Sequence, residues 1–216
     1  MRVLMVDDHV LFLQGMRALL SLLAPDLDVH TARDRHEALQ CVLANNYEVL
    51  LLDWNLVGCK GDELIASLRD AGCTARVVVV SGETDPVRIS DMLAHGVSGF
   101  IPKTYTGERM LAALETTLQG RVFVPDEISS HMWRSEDAGP PQTARQLREL
   151  VHSLTPRQLD VFRNTARGLP NKLIARELNI SEATVKTHLT AVFGALGVSN
   201  RTEAALLASR IGFHVG

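Results

Sequence analysis

Short apolar runs recur through the first half of the chain, and each ends on a polar or charged group. RVLMV runs into Asp7-Asp8, EVLLL into Asp53, RVVVV into Ser81, and GFIP into Lys103. Runs this short and this continuous predict strands buried on both faces, as in a parallel sheet, rather than helices. The strands fall at Arg2–Val6, Asp28–Ala32, Val49–Asp53, Arg76–Ser81 and Gly99–Pro102. Between and after them, apolar residues at helical spacing predict helices near Val10–Leu23, His36–Asn45, Glu63–Ala71, Pro86–His95 and Gly107–Gln119. Asp85 before Pro86 is a cap followed by a first-turn proline, and Gly72 and Gly96 fall where helices should stop. Five strand–helix alternations predict an α/β domain, a (βα)5 doubly wound parallel sheet with helices on both faces.

The pattern changes after about residue 120. Asp126–Trp133 and Ala144–Ser153 read as short helices on either side of a polar stretch, Arg134–Thr143, that contains a Pro-Pro pair. Beyond it no strand pattern remains. The expected organisation is a first domain over 1–122, a linker with short helices over 123–148, and a small all-α domain over 149–216. In that last domain Thr155, Pro156 and Gln158 form a capped helix start, and Gly168 and Pro170 end the helix. Asn171–Leu178 is a second helix, Asn179–Ile180 a tight turn and Ser181 the cap of a third. Two short helices joined by a brief turn have helix-turn-helix geometry, whose second helix enters the DNA major groove.

Charge supports that division. Residues 1–140 carry 12 Lys and Arg against 20 Asp and Glu, a net of −8, whereas residues 141–216 carry 10 against 5, a net of +5. An acidic front joined to a basic back suits a regulatory domain attached to a nucleic-acid-binding one. No stretch approaches the ~18 apolar residues of a membrane span, and MRVLMVDDHV has no signal-peptide character. Cys41, Cys59 and Cys73 are odd in number without CxxC spacing, which argues for reduced thiols, a cytoplasmic location, and neither a disulfide framework nor a zinc site.

In a doubly wound sheet the carboxyl ends of the strands converge on one crevice. Asp7, Asp8 and Asp53 gathered there repel one another. Two like charges ~4 Å apart cost about 4 kcal/mol at an effective dielectric of ~20. A hard divalent cation removes that cost, and Mg2+ suits one or two carboxylates plus phosphate oxygens. Asp53 is then a candidate nucleophile toward phosphorus, Lys103 a ligand for a phosphoryl oxygen, and Ser81 a donor present to report the bound phosphate.

VDDH, DWNLVGCKGDE, VSGE and GVSGFIPK together resemble the signature of response-regulator receiver domains over the first ~120 residues. The resemblance implies that Asp53 is the phosphoacceptor, that Asp8 directly and Asp7 through water hold Mg2+, and that the Asn55 backbone carbonyl completes the site. It also implies that Ser81 and Phe100 act as a switch pair, the ring turning inward when the hydroxyl moves to the phosphate. Val57 departs from the proline usual at its place, which predicts a less rigid loop, and Gly82 departs from the usual alanine, which opens room. Trp54 is a candidate shield for the acyl phosphate, and His9 reads as a helix-start residue.

On the third helix of the basic domain, Ile180, Val185, Leu189, Val192 and Leu196 keep apolar helical spacing, so Lys186, Thr187 and Thr190 point outward toward base edges. Asn171, Lys172, Thr184, His188 and Arg201 are candidates for phosphate contacts. LTPRQ, NKLIARELNIS, ATVKTHL and NRTEA resemble the LuxR-type helix-turn-helix of NarL/FixJ regulators across ~150–210. The resemblance implies four helices, recognition through Glu182–Leu196, and a dimer contact through Thr202–Ile211. Together the two halves imply a two-component response regulator, not an enzyme. By that resemblance a sensor histidine kinase is expected to phosphorylate Asp53 and so to control double-stranded DNA binding, through a homodimer in the active form or release of the output domain. The competing readings are a DNA-binding regulator independent of phosphorylation and an aspartyl-phosphate phosphatase. The phosphatase usually needs a second acid where this chain has Asn55.

Overall fold

The computed structural model describes residues 1–132 and 143–213. The first domain comprises β1 (Arg2–Val6), α1 (Val10–Leu23), β2 (Asp28–Ala32), α2 (Arg35–Ala44), β3 (Val49–Leu52), the short strands β4 (Asn55–Leu56) and β5 (Cys59–Lys60), α3 (Gly61–Asp70), β6 (Arg76–Ser81), α4 (Pro86–Ala94), β7 (Phe100–Pro102), α5 (Gly107–Leu118) and α6 (Asp126–Met132). The main sheet is parallel, in the order β2-β1-β3-β6-β7. Side chains alternate across it as strand geometry requires. Leu4, Val6, Leu50, Leu52, Val77 and Val79 face one layer with α2, α3 and α4, whereas Val3, Met5, Val49, Leu51, Val78 and Val80 face the other with α1 and α5. Both faces are covered, which is why these strands carry unbroken apolar runs.

Two features depart from the sequence pattern. The segment after Asp53 folds into the β4–β5 hairpin, turned by Val57 and Gly58, with Gly58 at φ +78°, a conformation that glycine adopts without strain. The segment assigned above to the start of the linker instead completes the first domain. Gly99 bridges Phe123, and Val124 and Ile128 are buried in the same cluster as α4. Those apolar residues find cover only on the sheet's outer layer. Gly99 is required there, since a Cβ on it would lie 2.8 Å from Phe123 O. Trp133 and the expected linker at residues 134–142 lie outside the described residues.

The second domain holds α7 (Ala144–His152), α8 (Pro156–Ala166), α9 (Asn171–Leu178), α10 (Glu182–Leu196) and α11 (Arg201–Arg210). Thr143 and Thr155 each form a reciprocal capping box, with Gln146 and Gln158. Ser181 caps α10 through Thr184 N–H, and Asn179 takes the left-handed conformation between α9 and α10. Phe162, Val192, Leu196, Ala204 and Leu207 form the larger core, and Val161, Ile174, Val185 and Leu189 the smaller one that fixes α9 against α10.

The domains touch through α11 and α4. Thr202 Oγ1, completely buried, donates to Val97 O at 2.8 Å, and Leu206 packs against the first domain's cluster. The layering predicts that Leu50→Ala, at a completely buried position, destabilises the chain by about 2–5 kcal/mol. Leu43→Ala, at a position 73% exposed, should stay within about 0.5 kcal/mol of the parent. Urea unfolding followed by circular dichroism checks both.

Candidate functional site

The strand ends assemble the expected pocket. The chain leaves β1 outward to β2 and returns to β3, so β1 and β3 are neighbours whose carboxyl ends face one crevice. Asp53 N–H donates to Val6 O at 2.8 Å and Lys103 N–H to Ser81 O at 2.8 Å, so the backbone ladder itself places both side chains. Lys103 Nζ bridges Asp7 Oδ2 at 2.6 Å and Asp53 Oδ2 at 2.7 Å, and it lies 4.8 Å from the centre of the Phe12 ring. Burial works to lower the Lys103 pKa. Its hydrogen bonds and charge contacts with Asp53 and Asp7 outweigh that effect, and the pKa is raised.

One ammonium does not satisfy three carboxylates. Asp8 Oδ1 is buried and accepts no hydrogen bond, with His9 Nδ1 2.8 Å away. Ligand atoms of Asp7, Asp8, His9 and Asp53 all lie within 4.8 Å of one another. An orphaned carboxylate oxygen in a hard-oxygen donor set fits a divalent cation such as Mg2+. His9 was not foreseen in this cluster. The sequence signal was only its place directly after the acidic pair.

A cavity of about 650 Å3 opens over these groups, lined by His9, Leu11, Phe12, Asp53, Asn55, Gly82 and Lys103. Trp54 is not among its walls. Its indole lies over Gly61, where an added Cβ would meet the ring at 2.5 Å, and beside the His95 ring at 5.6 Å between centroids. A Cβ on Gly82 would meet nothing within 4 Å, in keeping with the expected room there.

The expectation of a looser loop at Val57 needs correction. Val57 N–H donates to Asp8 Oδ2 at 3.1 Å, a bond that a proline could not make. The departure thus exchanges ring stiffness for a tether to an acidic ligand. Asn55 N–H also donates to Asp53 Oδ1, at 3.3 Å. Ser81 is fully buried, and its Oγ accepts from Glu83 N–H in its own loop at 3.2 Å. Phe100 is fully buried too, in the cluster with α4. No solvent-exposed ring is there to turn inward, so the expected starting position of that switch is not the one observed.

In the second domain Lys186, Thr187 and Thr190 are exposed along α10. The two threonine hydroxyls donate to Ala183 O and Lys186 O one turn back, leaving their oxygens as acceptors. Thr184 is half-buried, its hydroxyl paired with Ser181 Oγ at the helix cap, and His188 is half-buried beside it. Lys172 is exposed at the start of α9, next to half-buried Asn171.

Arg201 is half-buried. It is drawn into the junction between domains, where its guanidinium donates to Leu169 O. Burial first, and then the like charge of Arg69, lower its pKa to about 10. In this conformation α11 lies against an element of each domain. α8 covers one side and α4 meets the other, because its small residues Ala204, Ala205 and Ala208 let both approach closely.

The chain matches two family models, "Response regulator receiver domain" over residues 3–115 and "Bacterial regulatory proteins, luxR family" over residues 152–208. It is 31% identical over 205 residues to the nitrate/nitrite response regulator protein NarL of Escherichia coli (strain K12), covering 94% of this chain and 93% of that one. It is 32% identical over 213 residues to the glycerol metabolism activator of Pseudomonas putida, covering 98% and 96%. Its fold is similar to that of RcsB from Salmonella typhimurium, with a TM-score of 0.55 at 22% identity, covering 97% and 98%.

The ion-pair geometry makes Lys103→Ala destabilising in the presence of a chelator. The loss should fall at or below the about 3–5 kcal/mol of a broken buried pair, since Lys103 keeps some solvent access. Added Mg2+ should recover part of it. Because the pKa is raised, this contribution persists at neutral pH and disappears only as pH climbs above the ordinary lysine value near 10.4. Urea midpoints measured with EDTA and with Mg2+ test the effect.

Proposed function

The chain belongs to the response regulators, with a receiver domain followed by a LuxR-type DNA-binding domain, and from that membership we propose that phosphorylation of Asp53 by a sensor histidine kinase controls DNA binding by the second domain. The observation that carries the reading is Asp53 itself, which is buried and ion-paired to Lys103 at 2.7 Å yet lines the open cavity. An Asp53 oxygen bonds to phosphorus as the bond from phosphorus to the donor imidazole nitrogen breaks. Lys103 then exchanges its carboxylate partner for a phosphoryl oxygen, and Ser81 turns its hydroxyl to another. Asp8, Asp53 and the Asn55 carbonyl, with Asp7 nearby, would hold Mg2+, which when bound would neutralise charge on the transferring group.

Recognition runs through α10, with Lys186, Thr187 and Thr190 toward base edges and Asn171, Lys172, Thr184 and His188 toward the backbone. Arg201 joins the backbone contacts only once the junction opens. The active species is a homodimer placing two recognition helices on adjacent half-sites. RcsB, whose fold the chain shares, is known as dimers bound to DNA. No helix among the described residues is long and apolar enough to cross a membrane, in keeping with the cytoplasmic location expected for this role. Driving such a switch from 1% to 99% active takes about 5.5 kcal/mol of differential stabilisation.

The complete burial of Phe100 favours a second reading, in which DNA binding does not depend on phosphate. Beryllofluoride, a phosphoryl mimic, separates the two. We expect it with Mg2+ to raise DNA affinity and oligomer size for the native chain and to do neither for Asp53→Ala. Equal binding by both proteins with and without the mimic would establish the phosphate-independent regulator instead. Anisotropy of labelled duplex and analytical ultracentrifugation give the two readouts.

A further inference from the structure

Resting on the receiver reading above, we infer that His9 adds a nitrogen ligand, Nδ1, to the metal pocket. That nitrogen makes the pocket favour a borderline first-row divalent ion such as Co2+ over Mg2+. Each acid of the pocket spends one oxygen on a fixed partner. Asp7 Oδ2 and Asp53 Oδ2 are ion-paired to Lys103 Nζ at 2.6 and 2.7 Å, and Asp8 Oδ2 accepts from Val57 N–H at 3.1 Å. Asp53 Oδ1 accepts the longer bond from Asn55 N–H, at 3.3 Å. The oxygens left over on Asp7 and Asp8 both face one atom. His9 Nδ1 lies 3.1 Å from Asp7 Oδ1 and 2.8 Å from Asp8 Oδ1. Asp8 Oδ1 is closed off from solvent and accepts no hydrogen bond.

The local backbone aims the imidazole at these acids. His9 N–H donates to Asp7 Oδ1 at 2.9 Å, which folds residue 9 back over the carboxylate, and His9 O accepts from Leu13 N–H as α1 begins. Neither helix capping nor burial accounts for the ring's place. As the residue before α1, His9 makes no side-chain capping bond, and its side chain is 69% exposed. Two ligands at right angles on one ion, each about 2.1 Å from it, stand about 3 Å apart. The pairs His9–Asp7 and His9–Asp8 have that spacing, and ligand atoms of all three with Asp53 fall within 4.8 Å of one another. Oxygen ligands alone suit Mg2+, which is hard and keeps its waters. An imidazole nitrogen instead strengthens binding along the first-row series from Mn2+ through Co2+ to Ni2+. His9 also lines the cavity over Asp53, so this ligand stands at the mouth through which a phosphoryl group enters.

The test titrates the full chain with Mg2+ and, separately, with Co2+ by isothermal calorimetry. In metal sites the loss of a partner one shell beyond the ligands already costs about 10–100-fold in affinity. His9→Ala should therefore weaken Co2+ binding by at least about tenfold while Mg2+ binding holds. His9→Asn, which offers an oxygen in place of the nitrogen, should keep Mg2+ affinity and leave Co2+ affinity low. Pulsed EPR of the Mn2+-loaded native chain should show coupling to an imidazole nitrogen, and both variants should lack it. An imidazole that only donates to the acids would leave as the ion enters, and its removal would raise affinity for both ions alike. Equal changes for the two ions in His9→Ala, or no nitrogen coupling in the native chain, would overturn the inference and leave the receiver reading intact. Binding of Mg2+ and Co2+ that Asp53→Ala leaves untouched would overturn both.

Discussion

Three carboxylates crowded at the adjoining carboxyl ends of β1 and β3 are the constraint on which the receiver depends. Asp7 and Asp53 are buried, and their charges are tolerable there because Lys103 reaches both from the end of β7. That reach spans β3, β6 and β7, so the sheet order and the backbone ladder at Lys103 are prerequisites for the site's electrostatics. One ammonium leaves Asp8 Oδ1 unsatisfied, and the remaining negative charge makes the pocket receptive to a cation and, through it, to a phosphoryl group.

The surrounding loops are organised around the same acids. Val57 holds Asp8 by its N–H, Asn55 holds Asp53 by its own, and Gly61 lets Trp54 fold down against the start of α3. The indole meets His95, which closes α4, and two residues further on Val97 O receives Thr202 of the second domain. The acidic pocket and the domain junction are thus joined by packed groups.

The strands, most helix starts and the acidic, hydroxyl and ammonium groups at strand ends were legible in sequence. Each rests on a local rule, namely apolar runs for buried strands, Asp85-Pro86 and Thr155-Pro156 for helix starts, and alternation for the layers. The β4–β5 hairpin was not legible, because two-residue strands carry no periodicity. Val124 and Ile128 read as linker because two apolar residues near a polar stretch signal nothing until a sheet layer lies beside them. Trp54 looked like a candidate shield on account of its neighbour Asp53, yet it sits in the bend between β3 and β4 with its ring packed over Gly61.

The amino-acid sequence by itself determined which chemistry the chain carries. Residue types at strand ends and an amphipathic α10 follow from periods that a few neighbouring residues impose, whatever the rest does. Tertiary structure alone decided what each group faces. Lys103 bridges residues 50 and 96 positions away in sequence, and Thr202 donates to Val97 O across the two domains. A charge's partner is set by distance in space, and no local period encodes that distance. The opening motif of acids at strand ends therefore belongs to the sequence, while its neutralisation by Lys103 and the docking of α11 on the first domain belong to the fold.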